Sequence, residues 1–417
     1  MKTVGLIGFG VSNRALYEHF ARKDCKITVH NESKIPLPSG TQGVFGQDYL
    51  TCNEDLVFRS PGVKPQLIKS KTRPICESEY ALTELDVRTI CISGSDGKTT
   101  TATLIHRILS QKYSAFLGGN IGTPITYALD GDYDFAVCEL SSFQLCDFAP
   151  KCDCAVLTCI TPNHLDWHAD MSEYISAKEN VLKNARRRVL CYDDPILREL
   201  GAKYGGITWF TLKEPPVKRG FAYVKDGYIY YENERIMPCG SIRLRGEHNL
   251  KNALAAICVC APYVDKSVMA EAVCTFEGVE NRLELVKTVG GVSYFNSSID
   301  TTPSRTLASL SAFDKKRTVL ILGGYNKNLS FEPFIGALDT LLCAIVLGSA
   351  KDEILPCLRT KAYTVNTLSE AVLLASKIAR NGDSVLLSPA CASFDTYKSY
   401  KERALDFIYH VRALEDK

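Results

Sequence analysis

Short runs of β-branched and apolar residues alternate with amphipathic stretches along the whole chain, beginning with "TVGLIGFG" and then "VSNRALYEHFARK". That alternation predicts parallel strands joined by crossover helices, and hence an α/β fold. At 417 residues the chain is too long for a single core. Three units are expected, at residues 1–77, 78–279 and 280–417, each on a mainly parallel sheet. "DFAVCEL" and "CAVLTCI" are near-continuous apolar runs of the kind buried on both faces of such a sheet. Two stretches stand apart from this pattern. Residues 205–245 are rich in Tyr, Gly and β-branched residues, and "KDGY" and "ENER" read as hairpin turns, which predicts an antiparallel excursion. "SEYISAKENVLKNARRR" reads as one helix, with Arg186, Arg187 and Arg188 as its solvated end.

The formal net charge of +2 offers no electrostatic footprint for nucleic acid or an acidic membrane surface, so neither is expected as a partner. No stretch approaches the roughly 20 apolar residues of a membrane span, and the N-terminus lacks a signal-type cleavage site, so a cytoplasmic location is expected. The 17 cysteines lie in β-like runs of a long chain, which reads as buried free thiols rather than disulfides or a zinc knuckle.

The strongest chemical signal is "ISGSDGKTTT" at residues 92–101. It follows an apolar strand and precedes a helix, the setting in which Gly94 and Gly97 let backbone N–H groups face phosphates at a helix N-terminus. Lys98 would reach the terminal phosphates, and Thr99 or Thr100 could ligate Mg²⁺. The loop is shorter than the G-x-x-x-x-G-K-[ST] form, since Ile92 stands where its first glycine belongs. Glu139 is placed by its apolar run at a strand's C-terminal edge, where a buried carboxylate requires a cation partner. His164 and His168 in "TPNHLDWH" lie at a neighbouring edge; His164 is read as functional and His168 as structural. Lys178 is by itself an ordinary helical lysine. In the first turn, Gly8-x-Gly10-x-x-Asn13 lacks the third glycine of the dinucleotide fingerprint, and His30-Asn31 stands where an acidic residue should hold a ribose. That turn is either a nucleotide-diphosphate site or plain fold geometry, and NAD is not expected there.

Taken in order, "GSDGKTTT", "GGNIGTP", "CELSSFQL", "ITPNHLDWH", "AKENVLKNA", "GEHNLKNALAA", "NRLE", "LGGYNKNLSF" and "LSPACASFDTYKSY" resemble the Mur ligases over the whole chain, a family that uses a short G-x-x-G-K-T loop. The resemblance implies a Rossmann-like N-terminal domain for a UDP-linked substrate, a P-loop ATPase-like central domain and a Rossmann-like C-terminal domain. It implies ATP-dependent joining of D-glutamate to UDP-N-acetylmuramoyl-L-alanine through an acyl phosphate, in peptidoglycan precursor synthesis, by a monomer. Another Mur-type amino acid ligase and a non-catalytic precursor-binding protein are the alternatives.

Residue by residue, the resemblance places Gly94, Ser95, Asp96, Gly97, Lys98, Thr99, Thr100, Asn252 and Arg282 at ATP. Thr99, Glu139, His164 and Lys178 would hold two Mg²⁺ ions, with Lys178 carbamylated, and Lys98, His164 and Lys178 form the catalytic set. Gly10, Val11, Ser12, Asn31, Gly62 and Asn120 would face the UDP substrate. Thr301, Lys327, Ser393 and Tyr400 would face D-glutamate, and "FEGVENRLE" at 276–284 is the expected hinge. The chain departs from the family pattern at "NSSIDTT", where Ser297 and Ile299 replace an aspartate and a lysine, and Asp300 could compensate from a shifted position. Asn13 and Asn31 likewise replace a glycine and an aspartate.

Overall fold

The first strand, Lys2–Ile7, buries four consecutive residues, Val4 to Ile7, and so needs cover on both faces. It pairs in parallel with Cys25–Asn31 on one side and Leu56–Arg59 on the other, and Gln42–Phe45 adds an outer strand. Helix Val11–Ala21 lays Leu16 and Phe20 against Val4, Leu6, Val29 and Phe58. Because the strands are parallel and in register, Ile7, His30 and Arg59 end at one edge of this sheet, and the turns that follow them share it.

The computed structural model describes every residue except Asp166, Arg245, Lys327, Asn328, Asp416 and Lys417. The described residues divide into two compact units, residues 1–243 with 247–276, and residues 244–246 with 277–417. The four-stranded sheet belongs to the first unit, together with a nine-stranded sheet. Towards one side of the larger sheet Lys151–Leu157, Arg88–Ser93 and Phe135–Glu139 run parallel as neighbours, and Ala115–Gly119 forms the edge there. Phe135–Glu139 is buried at every residue. Helix Glu247–Cys260 is buried from Asn252 to Cys260 and packs beside helix Lys98–Leu109, which explains why it is apolar nearly all round.

Two expectations for this region are corrected. The antiparallel excursion expected over residues 205–245 begins only at Phe221, because Ile207–Thr211 and Phe221–Lys225 first continue the sheet in parallel. Only then does the chain reverse, through Asp226 and Gly227 at φ 49° and 75°, into Tyr228–Tyr231 and Glu234–Pro238. The arginine triplet is not a helix end. The helix stops at Lys183, and Asn184–Cys191 is a strand paired in parallel with Lys151–Leu157. Sheet pairing overrides local helix preference here, and the arginines are used: Arg186 pairs with Asp153, Arg187 donates to the Cys258 carbonyl and Arg188 to the Leu182 carbonyl.

In the second unit a six-stranded sheet orders Glu284–Val289, Val292–Asn296, Ser384–Leu387, Thr318–Gly323, Cys343–Leu347 and Ala362–Thr364. The first pair is antiparallel and the rest are parallel. Core clusters on its two faces are built from alternate residues of the same strands, such as Val319 and Ile321 against Leu320 and Leu322. The chain is therefore α/β, with parallel-dominated sheets. All 17 cysteines are free thiols, and no described helix is long and apolar enough to cross a membrane.

Candidate active site

Strand Arg88–Ser93 ends in a loop that only glycine can make. Gly94 has φ 139°, and a Cβ there would lie 1.9 Å from Thr158 Oγ1; Gly97 has φ 78°, and its Cβ would lie 2.3 Å from Asn252 Oδ1. Gly97 is the N-cap of helix Lys98–Leu109, and no side chain caps that end. The first-turn N–H groups thus sum with the helix dipole into an anion-binding end. Ser95 is pinned from outside the loop: its N–H donates to the Cys159 carbonyl, and its hydroxyl meets Thr161 and Tyr174. Asp96 is exposed, while its carbonyl accepts from Thr158 Oγ1. Thr100 is buried.

Two lysines converge on this loop. Lys98 Nζ donates to the Gly94 and Ser95 carbonyls, both at 2.9 Å. Lys178 Nζ, from helix Met171–Lys183, donates to the same Gly94 carbonyl at 2.6 Å and lies 4.8 Å over the Tyr174 ring. Lys178 is 2% exposed. Burial, and then repulsion from Lys98, bring it down to about 7, against a partial pull back from Cys159, Asp96 and Glu139. An ordinary helical lysine by sequence is thereby a group that is neutral much of the time near pH 7.

Glu139 ends its strand beside the loop, in register with Ile92 on one side and Gly119 on the other. It is 2% exposed, and both oxygens are held by neutral donors, Thr99 Oγ1 at 2.7 Å and Asn120 Nδ2 at 2.8 Å. The expected isolation of this carboxylate is therefore relieved by hydrogen bonds as well as by any cation. A hydroxyl and a carboxylate on hard oxygen atoms, next to a lysine-bearing anion site, are the donor types that suit Mg²⁺. His164 lies on the exposed segment after Lys151–Leu157, with φ 56°, its ring 4.8 Å from Phe143 and 6.5 Å from Tyr174. His168 is buried, its Nε2 3.0 Å from Ser142 Oγ, which fits the structural reading.

Sequence reading missed Tyr174 and Thr158. Tyr174 is fully buried and joins Ser95, Lys178 and His164; its spacing of one turn from Lys178 is the signal that could have found it.

At the edge of the four-stranded sheet, Gly8 has φ 75° and no room for a Cβ, which would meet Ser60 Oγ at 2.6 Å. Asn13, standing for the third glycine, donates to the Ile7 and Gly8 carbonyls at 2.9 and 2.7 Å and so ties the turn. Gly10 faces open space, Val11 is exposed and Ser12 half-buried, at an uncapped helix start. Asn31 turns to the Ser33 carbonyl, and the Gly62 carbonyl accepts from Trp167 Nε1, tying this edge to the His164 segment.

In the second unit three segments carry the expected residues. Thr301 follows Asp300, whose carbonyl accepts from Ala390 N–H; Ser393 follows the Tyr325–Ala392 bridge; and the Tyr400 carbonyl accepts from Ser298 Oγ. Arg403, also missed, ties them together: it is buried and donates to Ser298 and to the Cys391 and Ala392 carbonyls. The Asp300 carboxylate accepts from Ser388 Oγ at 2.8 Å and is pushed up by burial, so it is committed to this unit's interior. Arg282 stands between Asn281 and Leu283, at φ 62° and 46°. Lys327 lies outside the described residues.

The profile of the Mur ligase middle domain matches residues 92–260. The UDP-N-acetylmuramoylalanine–D-glutamate ligase of Clostridium tetani is 35% identical over 99% of this chain and 97% of its own. The protein of that name from Clostridium botulinum (strain Langeland) is likewise 35% identical, with the same coverage. Among solved structures, UDP-N-acetylmuramate-alanine ligase from Thermotoga maritima aligns over 99% of both chains with a TM-score of 0.61 and 18% identity. A pseudomurein peptide ligase type C from Methanothermus fervidus gives 0.60 and 16%, over 99% of this chain and 100% of that one. These structures speak for the fold, and the curated relatives for the family: the chain belongs to the Mur ligases.

Proposed function

We propose that this chain joins D-glutamate to UDP-N-acetylmuramoyl-L-alanine at the expense of ATP, as a cytoplasmic monomer in peptidoglycan precursor synthesis. The observation that carries the reading is the convergence of Lys98 and Lys178 on the Gly94 carbonyl, one strand away from the Thr99–Glu139 pair. The relatives' names supply the substrates.

In this reading the loop N–H groups and Lys98 hold the ATP phosphates, with Asn252 packed under Gly97 and Arg282 near the nucleotide. Gly10, Val11, Ser12, Asn31, Gly62 and Asn120 face the UDP substrate, and domains span 1–77, 78–279 and 280–417. The L-alanine carboxylate attacks the γ-phosphorus; an O–P bond forms and ADP leaves. The amine of D-glutamate, held by Thr301, Lys327, Ser393 and Tyr400, then attacks the acyl carbon. The C–N bond forms, the C–O bond to phosphate breaks, and the amine loses its proton to solvent or phosphate. Bound Mg²⁺, at Thr99, Glu139, His164 and modified Lys178, would neutralise charge building on the transferred phosphoryl group. Lys98 does the same from the loop, and alignment of the reactants supplies much of the rest.

Lys178 is suited to carbamylation because CO₂ adds only to a neutral amine, and burial beside Lys98 makes that form accessible near pH 7. A carbamate would convert a buried cation into an anion next to the metal donors.

The test is phosphate release with UDP-N-acetylmuramoyl-L-alanine, ATP and a panel of amino acids. Release that depends on both the UDP substrate and D-glutamate supports the reading. Preference for another amino acid would move the chain to a different Mur-type activity, and ATP binding without turnover would make it a precursor-binding protein. Carbon-13 bicarbonate should give a carbamate resonance that Lys178→Ala abolishes.

A further inference from the structure

Strand Cys25–Asn31 ends with two side chains of opposite fate. Asn31 turns to the rim, whereas His30 turns inward and is 2% exposed. His30 Nε2 lies 3.0 Å from Glu54 Oε1. Beside them is Cys52, buried at the end of the short strand Thr51–Cys52. The ligand atoms of His30, Cys52 and Glu54 all lie within 4.8 Å of one another.

A His–Glu hydrogen bond accounts for two of these groups. It does not account for a buried thiol at the same point. An imidazole, a thiol and a carboxylate are together the nitrogen, sulfur and oxygen donors that zinc takes, and three such ligands leave a fourth position for water. Glu54 is the half-buried member of the three. The donors are also held: the Asn53 N–H binds Glu54 Oε2 at 3.0 Å, and Asp55 is tied to Thr3 through its side chain and its N–H. A cation here would pin residues 51–55 to the sheet, one residue pair from the substrate-side turn, because the His30 carbonyl accepts the Gly8 N–H at 2.7 Å.

We propose that His30, Cys52 and Glu54 form a binding site for a zinc-class divalent cation, separate from the phosphate loop and its Mg²⁺ donors. Zinc binding releases the thiol proton and draws the two other ligands inward around one centre, which a spread of 4.8 Å allows with side-chain rotation.

The test is metal binding, not ligation, so it is independent of the proposed activity. The full chain is titrated with Co²⁺ under reducing conditions, then with Zn²⁺. One equivalent of Co²⁺ should give a thiolate charge-transfer band in the near ultraviolet, which Zn²⁺ bleaches, and Zn²⁺ should raise Tm. Cys52→Ala should lose the band and the Tm response while its circular dichroism stays at wild-type level. Glu54→Gln, at a partly exposed position, should keep the band with affinity at least about tenfold weaker. A band of equal strength in Cys52→Ala would assign the signal to other thiols and overturn the proposal. No band and no Tm response in the wild-type chain would leave His30 and Glu54 as a hydrogen-bonded pair only, and would also overturn it.

Discussion

Two turns in the first unit share one backbone design. Gly8–Asn13 and Gly94–Lys98 both follow a buried parallel strand, both use positive-φ glycines, and both start a helix with no side-chain cap. Their chemistry is opposite. Around Gly8 the turn is tied by a neutral amide, Asn13, and Gly10 faces open space. Around Gly94 the neighbouring strands and helices deliver two lysines, a carboxylate and a hydroxyl. A glycine turn therefore fixes where an anion can sit, while the elements packed around it decide whether anything can be done to that anion.

Removing the charge from the second turn should have the largest effect. Lys98→Met is expected to lower kcat for phosphate release by roughly 100- to 1,000-fold, the usual loss for one donor at a developing charge. Its unfolding midpoint should barely move. Full turnover in this variant would erase the distinction between the turns.

Backbone substitution comes next. Gly94→Ala combines φ 139° with a contact of 1.9 Å to Thr158, so urea melts should show a loss of about 2–4 kcal/mol.

Lys178→Met should do the reverse, adding on the order of 1–3 kcal/mol at pH 6 in the unmodified protein while abolishing ligation. The sign follows from linkage. Lys178 sits at about 7 in the folded chain against 10.5 ordinarily. Between those values the unfolded chain holds a proton that the folded chain has released, so stability rises with pH across that window. Below about pH 7 the full penalty applies. The variant should lack that slope in melts taken from pH 6 to 10.

At the first turn the expected effects are smaller. Asn13→Ala removes two hydrogen bonds to buried carbonyls and should cost about 1–2 kcal/mol. Gly10→Ala meets no atom within 4 Å at φ −78°, so its stability should stay within about 0.5 kcal/mol of wild type. If Gly10 faces the UDP substrate, its methyl group should appear in KM alone.

Much of this was legible in the sequence, and the exceptions have physical causes. Glycine punctuation, apolar runs and the motif order gave the α/β class, the loop and Glu139, since each is a local demand on conformation or burial. Arg186 to Arg188 look like a helix end, and only pairing with Lys151–Leu157 makes them a strand. Arg403 belongs to none of the quoted motifs, and becomes a tie between segments because Ser298, Cys391 and Ala392 fold over it. Asp300 looked available to replace a lost contact until Ser388 took its carboxylate.

By itself, then, the sequence determined the positions that must bend, the runs that must be buried and the family to which the motifs belong. Tertiary structure decided the charge states and the alliances. Lys178 is 84 residues from the carbonyl it binds, and nothing in its own helix removes water from it. Desolvation and Coulombic repulsion are set by neighbours in space, and those neighbours exist only once the sheet has assembled.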